Sequence, residues 1–142
     1  MNYNILEKEN NILVIDNPNK RYEELKYNLK TNGSPVKTGR KVDGKDEYIK
    51  RISIAQLPNA SALEVNTGLN INEIVVTSIE CLAYRSSDKT YIPVPFISMA
   101  NSNIGLNTKV NSNILYLLIE TTIDRSNFSG WAEIKYIYNS NS

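Results

Sequence analysis

The sequence predicts an all-β fold, an antiparallel β-sandwich preceded by a short N-terminal arm, and two patterns carry that prediction. From residue 47 onward, apolar and polar residues alternate in short runs, as they do in strands with one face on a core. Turn-forming residues separate these runs at intervals of about ten residues, a spacing typical of sandwiches. A chain of 142 residues can bury such a core in one domain. We therefore assign residues 1–46 to the arm and residues 47–142 to the sandwich.

The arm is polar and charged, and residues 18–31 fit two different structures. Asn17 as N-cap, Pro18 at the first helical position and Gly33 beyond the end indicate one helix. The second half of the segment instead alternates strictly and is followed by Asn-Gly, which is typical of a β-hairpin. Both interpretations stay open here, and the stop signals at both ends favour the helix.

The strands are justified in turn by their alternation and by the turns between them. Asp43-Gly44 is a hairpin turn between the first two strands, and Pro58-Asn59 ends the second. Pro93 and Pro95 place their strand at a sheet edge or a bulge. Residues 114–119 are nearly all apolar, which predicts burial on both faces. The predicted strands cover residues 36–42, 46–55, 62–65, 74–84, 91–98, a short stretch within 101–113, 114–119 and 131–138.

Several of these strands carry large apolar side chains on both faces, which predicts that identical copies cover one another. Leu82 and Tyr84 lie opposite Cys81, and Trp131 lies opposite Ile134. Exposure of apolar surface costs about 25 cal/mol per Å². Another subunit is therefore the favoured cover for the second face. The alternative is that the arm covers that face within one chain.

Composition excludes several classes of function. Lys and Arg number 16 against 15 Asp and Glu, and this balance predicts no nucleic-acid partner. No apolar run reaches about 18 residues, so membrane insertion is not expected. No basic n-region is followed by an apolar h-region, so a signal peptide is not expected either. The sequence has no histidine, which excludes His-based triads and His-ligated zinc. Cys81 is the single cysteine, and we expect it in the core. No cofactor, metal or catalytic activity is predicted.

Four short motifs follow one another along the sequence in a recognisable order. They are Asp43-Gly44-Lys45, Leu57-Pro58-Asn59, Ile92-Pro-Val-Pro-Phe96 and Asp124-Arg125-Ser126-Asn127-Phe128. Together with the strand that ends at Tyr138, this order resembles the C-terminal receptor-binding head domain of bacteriophage tail-fibre and baseplate proteins. The sequence departs from that pattern at Lys41-Val42, where Trp is usual, at Asp46, where Pro is usual, and at 120–123, where Gly is common.

The resemblance implies a β-sandwich at the distal end of a homotrimeric fibre on a phage or phage-like particle. Such a head adheres to a bacterial cell-wall polysaccharide or teichoic acid, and the arm would attach it to other tail or baseplate proteins. The protein would then belong to the virion after synthesis in the host cytoplasm. Abundant Asn, Ile, Lys and Tyr, which have A/T-rich codons, point to a low-G+C Gram-positive host. The alternative function is a purely structural trimerisation or attachment module without its own ligand.

Aromatic side chains are the first candidates for contact with a sugar, because stacking needs a flat and partly exposed ring. Trp131, Tyr84, Tyr91 and Tyr116 fit this requirement by their positions in strands. The alternative for the single Trp is a place in the core or in a subunit interface.

Polar residues in turns are the second group of candidates. Asp124, Arg125 and Asn127 lie in one turn, and Asn101 and Asn103 lie in another. An Arg fork suits phosphate or sugar oxygens, and loop amides suit glycan hydroxyls. The structural alternative is an Asx-type turn at the Asp, an Arg that pairs with a neighbouring carboxylate, and ordinary surface turns at the Asn residues.

A glycosidase would need two carboxylates close together. Glu120 with Glu133, or Glu80 with Asp124, are the pairs that neighbouring strands could bring together. No spacing requires either pair, and charge pairs across a sheet are commoner.

Overall fold

The computed structural model describes residues 28–140 and confirms the all-β sandwich, with eight strands in two antiparallel sheets. The strands are β1 (Val36–Val42), β2 (Lys45–Ile54), β3 (Ala62–Asn70), β4 (Ile74–Arg85), β5 (Thr90–Val94), β6 (Ile104–Asn111), β7 (Ile114–Thr121) and β8 (Ser129–Tyr138). The large sheet has the order β1-β2-β8-β4-β5, and the small sheet has the order β3-β7-β6. The helix or hairpin predicted at 18–31 falls mostly outside the described residues.

The core lies between the two sheets and follows from the alternation in their central strands. Ala132, Ile134 and Tyr136 point inward from β8, and each is fully buried. Leu117 and Ile119 point inward from β7 and belong to the same apolar cluster. Because side chains alternate across a strand, the residues between them point to the outer faces of the two sheets.

A two-stranded ribbon joins the sheets at one end of the sandwich. The β2–β3 linker runs antiparallel to the β7–β8 linker, with backbone bonds from Leu57 N to Phe128 O (2.9 Å) and from Arg125 N to Pro58 O (3.1 Å). A β-bridge between Asn59 and Asp124 lies in the same ribbon. Two of the four sequence motifs, Leu-Pro-Asn and Asp-Arg-Ser, are therefore neighbours in space.

Most predicted turns and edges agree with the structure. Asp43 and Gly44 adopt positive φ angles of 51° and 77° in the β1–β2 hairpin, as an Asp-Gly turn requires. The proline-containing β5 is an edge strand, and Cys81 is buried in the core. β1, which lies in the predicted arm, is the other edge of the large sheet. The division at residue 46 stays a prediction.

The prediction that β7 is buried on both faces is wrong for the described chain. Its inward residues are buried, whereas Ile114, Tyr116 and Leu118 keep partial exposure on the outer face of the small sheet. Polar side chains of the neighbouring strands partly cover this outer face instead. For example, Asn66 Nδ2 of β3 donates a hydrogen bond to Tyr116 Oη (3.4 Å). β3 and β6 are also longer than the sequence predicted, because both pair along most of β7.

Candidate functional site

Three of the predicted aromatic residues meet on the outer face of the large sheet. Tyr84 and Tyr91 are direct cross-strand partners on β4 and β5, and Trp131 of β8 pairs with Leu82 of β4. The ring centroids of Tyr84 and Tyr91 are 4.8 Å apart. The Trp131 ring lies 6.5 Å from Tyr84 and 6.3 Å from Tyr91. We call Tyr84, Tyr91 and Trp131 the aromatic platform.

The rings of the platform are accessible from outside the protein. Tyr91 is 57% exposed, and Tyr84 and Trp131 are partly exposed. Trp131 is therefore not a core residue within the described part of the chain. A rigid sheet holds all three rings, which are tilted against one another by 38° (Tyr84 and Tyr91), 47° (Tyr84 and Trp131) and 77° (Tyr91 and Trp131). Sugar stacking therefore uses the partly exposed face of a single ring, with the other two rings beside it.

Arg51 of β2 fixes Trp131 from the side opposite the tyrosines. Its guanidinium carbon lies 4.9 Å from the Trp131 ring centroid, a cation–π distance. Arg51 Nη1 donates to Glu133 Oε2 (2.5 Å), and Arg51 Nε donates to Thr31 Oγ1 (3.0 Å). These contacts restrain Trp131 before any ligand arrives. Sequence reasoning missed Arg51 as a site residue, because only the pairing of β2 with β8 brings it to Trp131.

A depression of about 180 Å³ lies beside Trp131, with carboxylates on its wall. Glu80 and Glu133 are cross-strand partners and both line it, together with Leu82. Two like charges directly opposite each other on a sheet are unfavourable. The ion pair between Arg51 and Glu133 reduces this repulsion. The side chains at this edge of the platform can accept hydrogen bonds from ligand hydroxyls.

A larger depression of about 410 Å³ lies on the other side of Tyr84. Its polar lining includes Asn127, one of the predicted site residues, and Gln56, which donates to Ser126 O (2.9 Å). The other polar lining residues are Ser86 and Ser129. The platform is therefore a ridge of rings between two depressions that offer amide, hydroxyl and carboxylate groups.

Arg125 and Asp124 do not join the platform, although the sequence marked both as site candidates. Arg125 is buried, and its Nη2 donates to Ser102 O (2.6 Å) while its guanidinium packs against the rings of Phe128 and Phe96. Burial lowers the pKa of Arg125. Its partner is a carbonyl and not the carboxylate that the structural alternative expected.

Asp124 makes the Asx-type turn that the structural alternative predicted. Its Oδ1 accepts a hydrogen bond from Ser126 N (2.8 Å). Hydrogen bonds from the side chain and backbone of Ser126 hold the pKa of this carboxyl below its usual value. Asp124 and Arg125 therefore stabilise the corner ribbon.

Asn101 and Asn103 lie in the β5–β6 loop, where they shape the backbone. Asn103 Oδ1 accepts a hydrogen bond from Ser98 N (2.7 Å). Asn101 has a positive φ of 59°, and its carbonyl accepts a bond from Thr122 Oγ1 (2.6 Å). The contacts of both residues are with this loop and the β7–β8 linker, so neither is brought to the platform.

Of the carboxylates considered for glycoside hydrolysis, neither predicted pair forms a cross-strand pair. Glu120 lies on the small sheet and Glu133 on the large sheet, while Asp124 is engaged in its turn. Glu80 and Glu133 are the pair that the strand register brings together. Between residues 28 and 140, no group of three or more acidic or cysteine side chains is arranged to hold a metal ion.

Comparisons with known proteins return no match to a family model, to a characterised protein or to a solved structure. Within the described residues, no helix has the length and apolar character needed to cross a membrane.

Proposed function

We propose that this chain is a non-enzymatic adhesion module that binds a bacterial cell-surface glycopolymer through the aromatic platform. The observation that carries the proposal is the ridge of Tyr84, Tyr91 and Trp131, partly exposed on a rigid sheet between one depression with carboxylates on its wall and a larger one with a polar lining. Apolar faces of sugar rings stack on aromatic rings, while groups at the rim recognise hydroxyls.

The geometry supports binding of a saccharide, because the aromatic rings are restrained before a sugar ring stacks on them. Trp131 lies against the Arg51 guanidinium, and Tyr84 lies against Tyr91. Binding to such a surface immobilises few additional side chains, which lowers the entropic cost of association. A shallow and open ridge also suits one segment of a long polymer better than a small molecule that must be enclosed.

We further propose that the module is the head of a phage or phage-like tail fibre and acts as a homotrimer in the virion. Support for this identity comes from the order of the four sequence motifs. Shallow sites bind one saccharide unit weakly, and three copies on one particle convert this affinity into avidity on a repeating cell-wall polysaccharide or teichoic acid. The N-terminal segment would attach the head to other tail or baseplate proteins.

Binding of the whole chain to purified cell-wall polysaccharide and teichoic acid fractions from a panel of low-G+C Gram-positive bacteria tests the proposal. We expect Tyr91→Ala to weaken binding to the recognised fraction by about two- to twelvefold, the loss that corresponds to one aromatic contact of about 0.5–1.5 kcal/mol. Tyr116→Ala is the matched control, since Tyr116 is a partly exposed tyrosine on the outer face of the other sheet. Equal losses in both variants, or no binding to any fraction, would contradict the proposal.

A second candidate function is a structural trimerisation or attachment module, and exposed apolar side chains favour it. Ile97 and Met99 of the β5–β6 loop are 85% and 107% exposed, and Val75 on the large sheet is 50% exposed. A partner subunit would remove this surface from water. Both candidate functions require a homotrimer, and light scattering measures the mass in solution that tests it. A well-folded 16.1 kDa species at micromolar concentration would exclude the trimer.

A further inference from the structure

A third depression, which we call the cavity, lies at the opposite end of the large sheet, on its inner face. The large sheet has two more strands than the small sheet, so the small sheet cannot cover all of that face. Lys50 Nζ of β2 donates to Thr67 O (2.7 Å), which brings β3 against the middle of β2. Nearer the β1–β2 hairpin, the structure has a cavity of about 330 Å³ lined by Lys41, Lys45, Asp46, Tyr48 and Tyr138.

The rim of this cavity carries more positive than negative charge. The Asp46 carboxylate forms ion pairs with Lys41 Nζ (2.9 Å) and Lys37 Nζ (3.3 Å). Lys45 Nζ donates a hydrogen bond to Asn139 O (3.2 Å). Hydrogen bonds from Lys41 and Lys37 hold the pKa of Asp46 below its usual value, so its carboxyl is ionised at neutral pH. Among the described residues, the ammonium groups of Lys41 and Lys45 and one carboxylate, that of Asp46, line the cavity, so its charge attracts anions.

Aromatic side chains form the wall of the cavity. The Tyr48 and Tyr138 rings meet edge to face with centroids 5.2 Å apart, and both pack on Tyr136. Tyr136 is fully buried, and its hydroxyl finds no partner with hydrogen-bond geometry among the described residues. Burial, together with the neighbouring Tyr138 and Tyr48, raises the pKa of Tyr136, so this phenol stays protonated.

We propose that this cavity is a binding site for an anionic saccharide unit, a sugar ring that carries a phosphate or a carboxylate. The rings of Tyr48 and Tyr138 provide a stacking contact for the sugar ring within an otherwise polar lining, and the ammonium groups of Lys41 and Lys45 bind the anionic group. The volume is at the lower end of the range for small-molecule sites, about 300–1,000 Å³, which suits one or two sugar rings.

This site is separate from the aromatic platform and does not depend on it. Trp131 and Tyr138 lie seven residues apart on β8, or about 23 Å at about 3.3 Å per residue. They also lie on opposite faces of the sheet. A chain with both sites would contact one polymer through a neutral stacking surface and an anion-binding cavity.

Calorimetric titration of the full chain with four probes tests the proposal: glucose 6-phosphate, glucuronate, glucose and inorganic phosphate. We expect at least one anionic sugar to bind about tenfold or more tightly than glucose and than inorganic phosphate, because only the anionic sugars use both wall and rim. Whether the phosphate or the carboxylate form binds better identifies the source of the anion. Equal affinity for glucose would refute the anion site, and equal affinity for inorganic phosphate would refute recognition of the ring.

Variants of the charged residues test, in the same titration, which groups bind the anionic sugar. Lys45→Gln should weaken binding of the preferred anionic sugar by about fivefold, as expected for one exposed ammonium. Asp46→Asn should strengthen it, because Lys41 then loses its competing carboxylate. Tyr116→Ala, on the outer face of the small sheet, should leave this affinity unchanged. Weaker binding in Asp46→Asn, or a loss in Tyr116→Ala, would overturn the assignment.

Discussion

Replacement of Arg125 by Ala is the perturbation that best separates a structural role of the Asp-Arg-Ser motif from a ligand-binding role. The Arg125 side chain links the β7–β8 linker to the β5–β6 loop through its bond to Ser102 O (2.6 Å). Its guanidinium carbon lies 5.5 Å from the Phe128 ring centroid and 5.9 Å from that of Phe96. The bond to Ser102 and the contact with Phe96 lie in the corner of the sandwich, and Arg125 itself lines neither depression beside the platform.

The magnitude of the Arg125→Ala effect follows from these contacts. A hydrogen bond from a charged donor contributes about 1.5–3 kcal/mol, and each cation–π contact adds about 0.5–1 kcal/mol. Part of this loss is offset because the variant no longer pays the desolvation cost of the guanidinium, whose Nε has no hydrogen-bond partner among the described residues. We expect a net decrease of about 2 kcal/mol in the free energy of unfolding. For a chain of this size, that decrease lowers the Tm by about 8 °C.

Thermal unfolding followed by circular dichroism measures this decrease, and binding to cell walls is measured well below the transition. The control is Arg40→Ala, because Arg40 is exposed and its Nε lies 3.8 Å from Glu47, so its loss should cost at most about 1 kcal/mol. Folded Arg125→Ala should bind as the unchanged protein does. Normal stability together with lost binding would refute the structural role and indicate that the Asp-Arg-Ser motif binds the ligand.

Three further predictions concern the core. Tyr136→Phe removes a buried hydroxyl that has no partner with hydrogen-bond geometry between residues 28 and 140, and it should raise the free energy of unfolding by about 1 kcal/mol, as measured by urea denaturation. Gly130→Ala should lower it by about 2 kcal/mol or more, because the added Cβ would lie 2.5 Å from Leu82 O; an unchanged urea midpoint would contradict the β4–β8 packing. Burial raises the pKa of the Cys81 thiol from 9.0 to about 11, so its stabilising contribution is present below pH 9.0 and is lost as the pH rises through about 11. Between pH 9.0 and about 11, the urea midpoint should therefore fall less steeply in Cys81→Ala than in the unchanged protein. At pH 8, the native protein should react with a thiol reagent far more slowly than the unfolded protein.

Alternation in the sequence was sufficient to predict which residues share a face. Tyr84 and Leu82 were separated from Cys81 in this way, and the structure has the same division. The meeting of Tyr84 with Trp131 could not be predicted, because it depends on the order β2-β8-β4-β5 in the large sheet. Such pairings join distant parts of the chain, and no local pattern specifies them. Arg51 was missed as a site residue for the same reason.

The polar motifs were harder to interpret than the strands. Asp and Asn occur in turns both for ligand contact and for backbone conformation, and the residue type alone does not distinguish the two roles. Asp124 and Asn103 use their side-chain oxygens on backbone N–H groups, so these oxygens are already occupied. The apolar run at 114–119 misled for another reason. Polar neighbours on β3 and β6 partly cover its outer face, and that cover is visible only in the paired sheet.

Emission from Trp131 tests the central claim most directly, because Trp131 is the single tryptophan of the chain and is one of the three rings of the aromatic platform. The measurement is a fluorescence titration of the full chain with the cell-wall fraction that it binds. We predict a saturable change in Trp131 emission with the same midpoint as binding, and a shift of both to higher concentration in Tyr91→Ala. Binding that saturates while the emission of Trp131 stays constant would contradict the account.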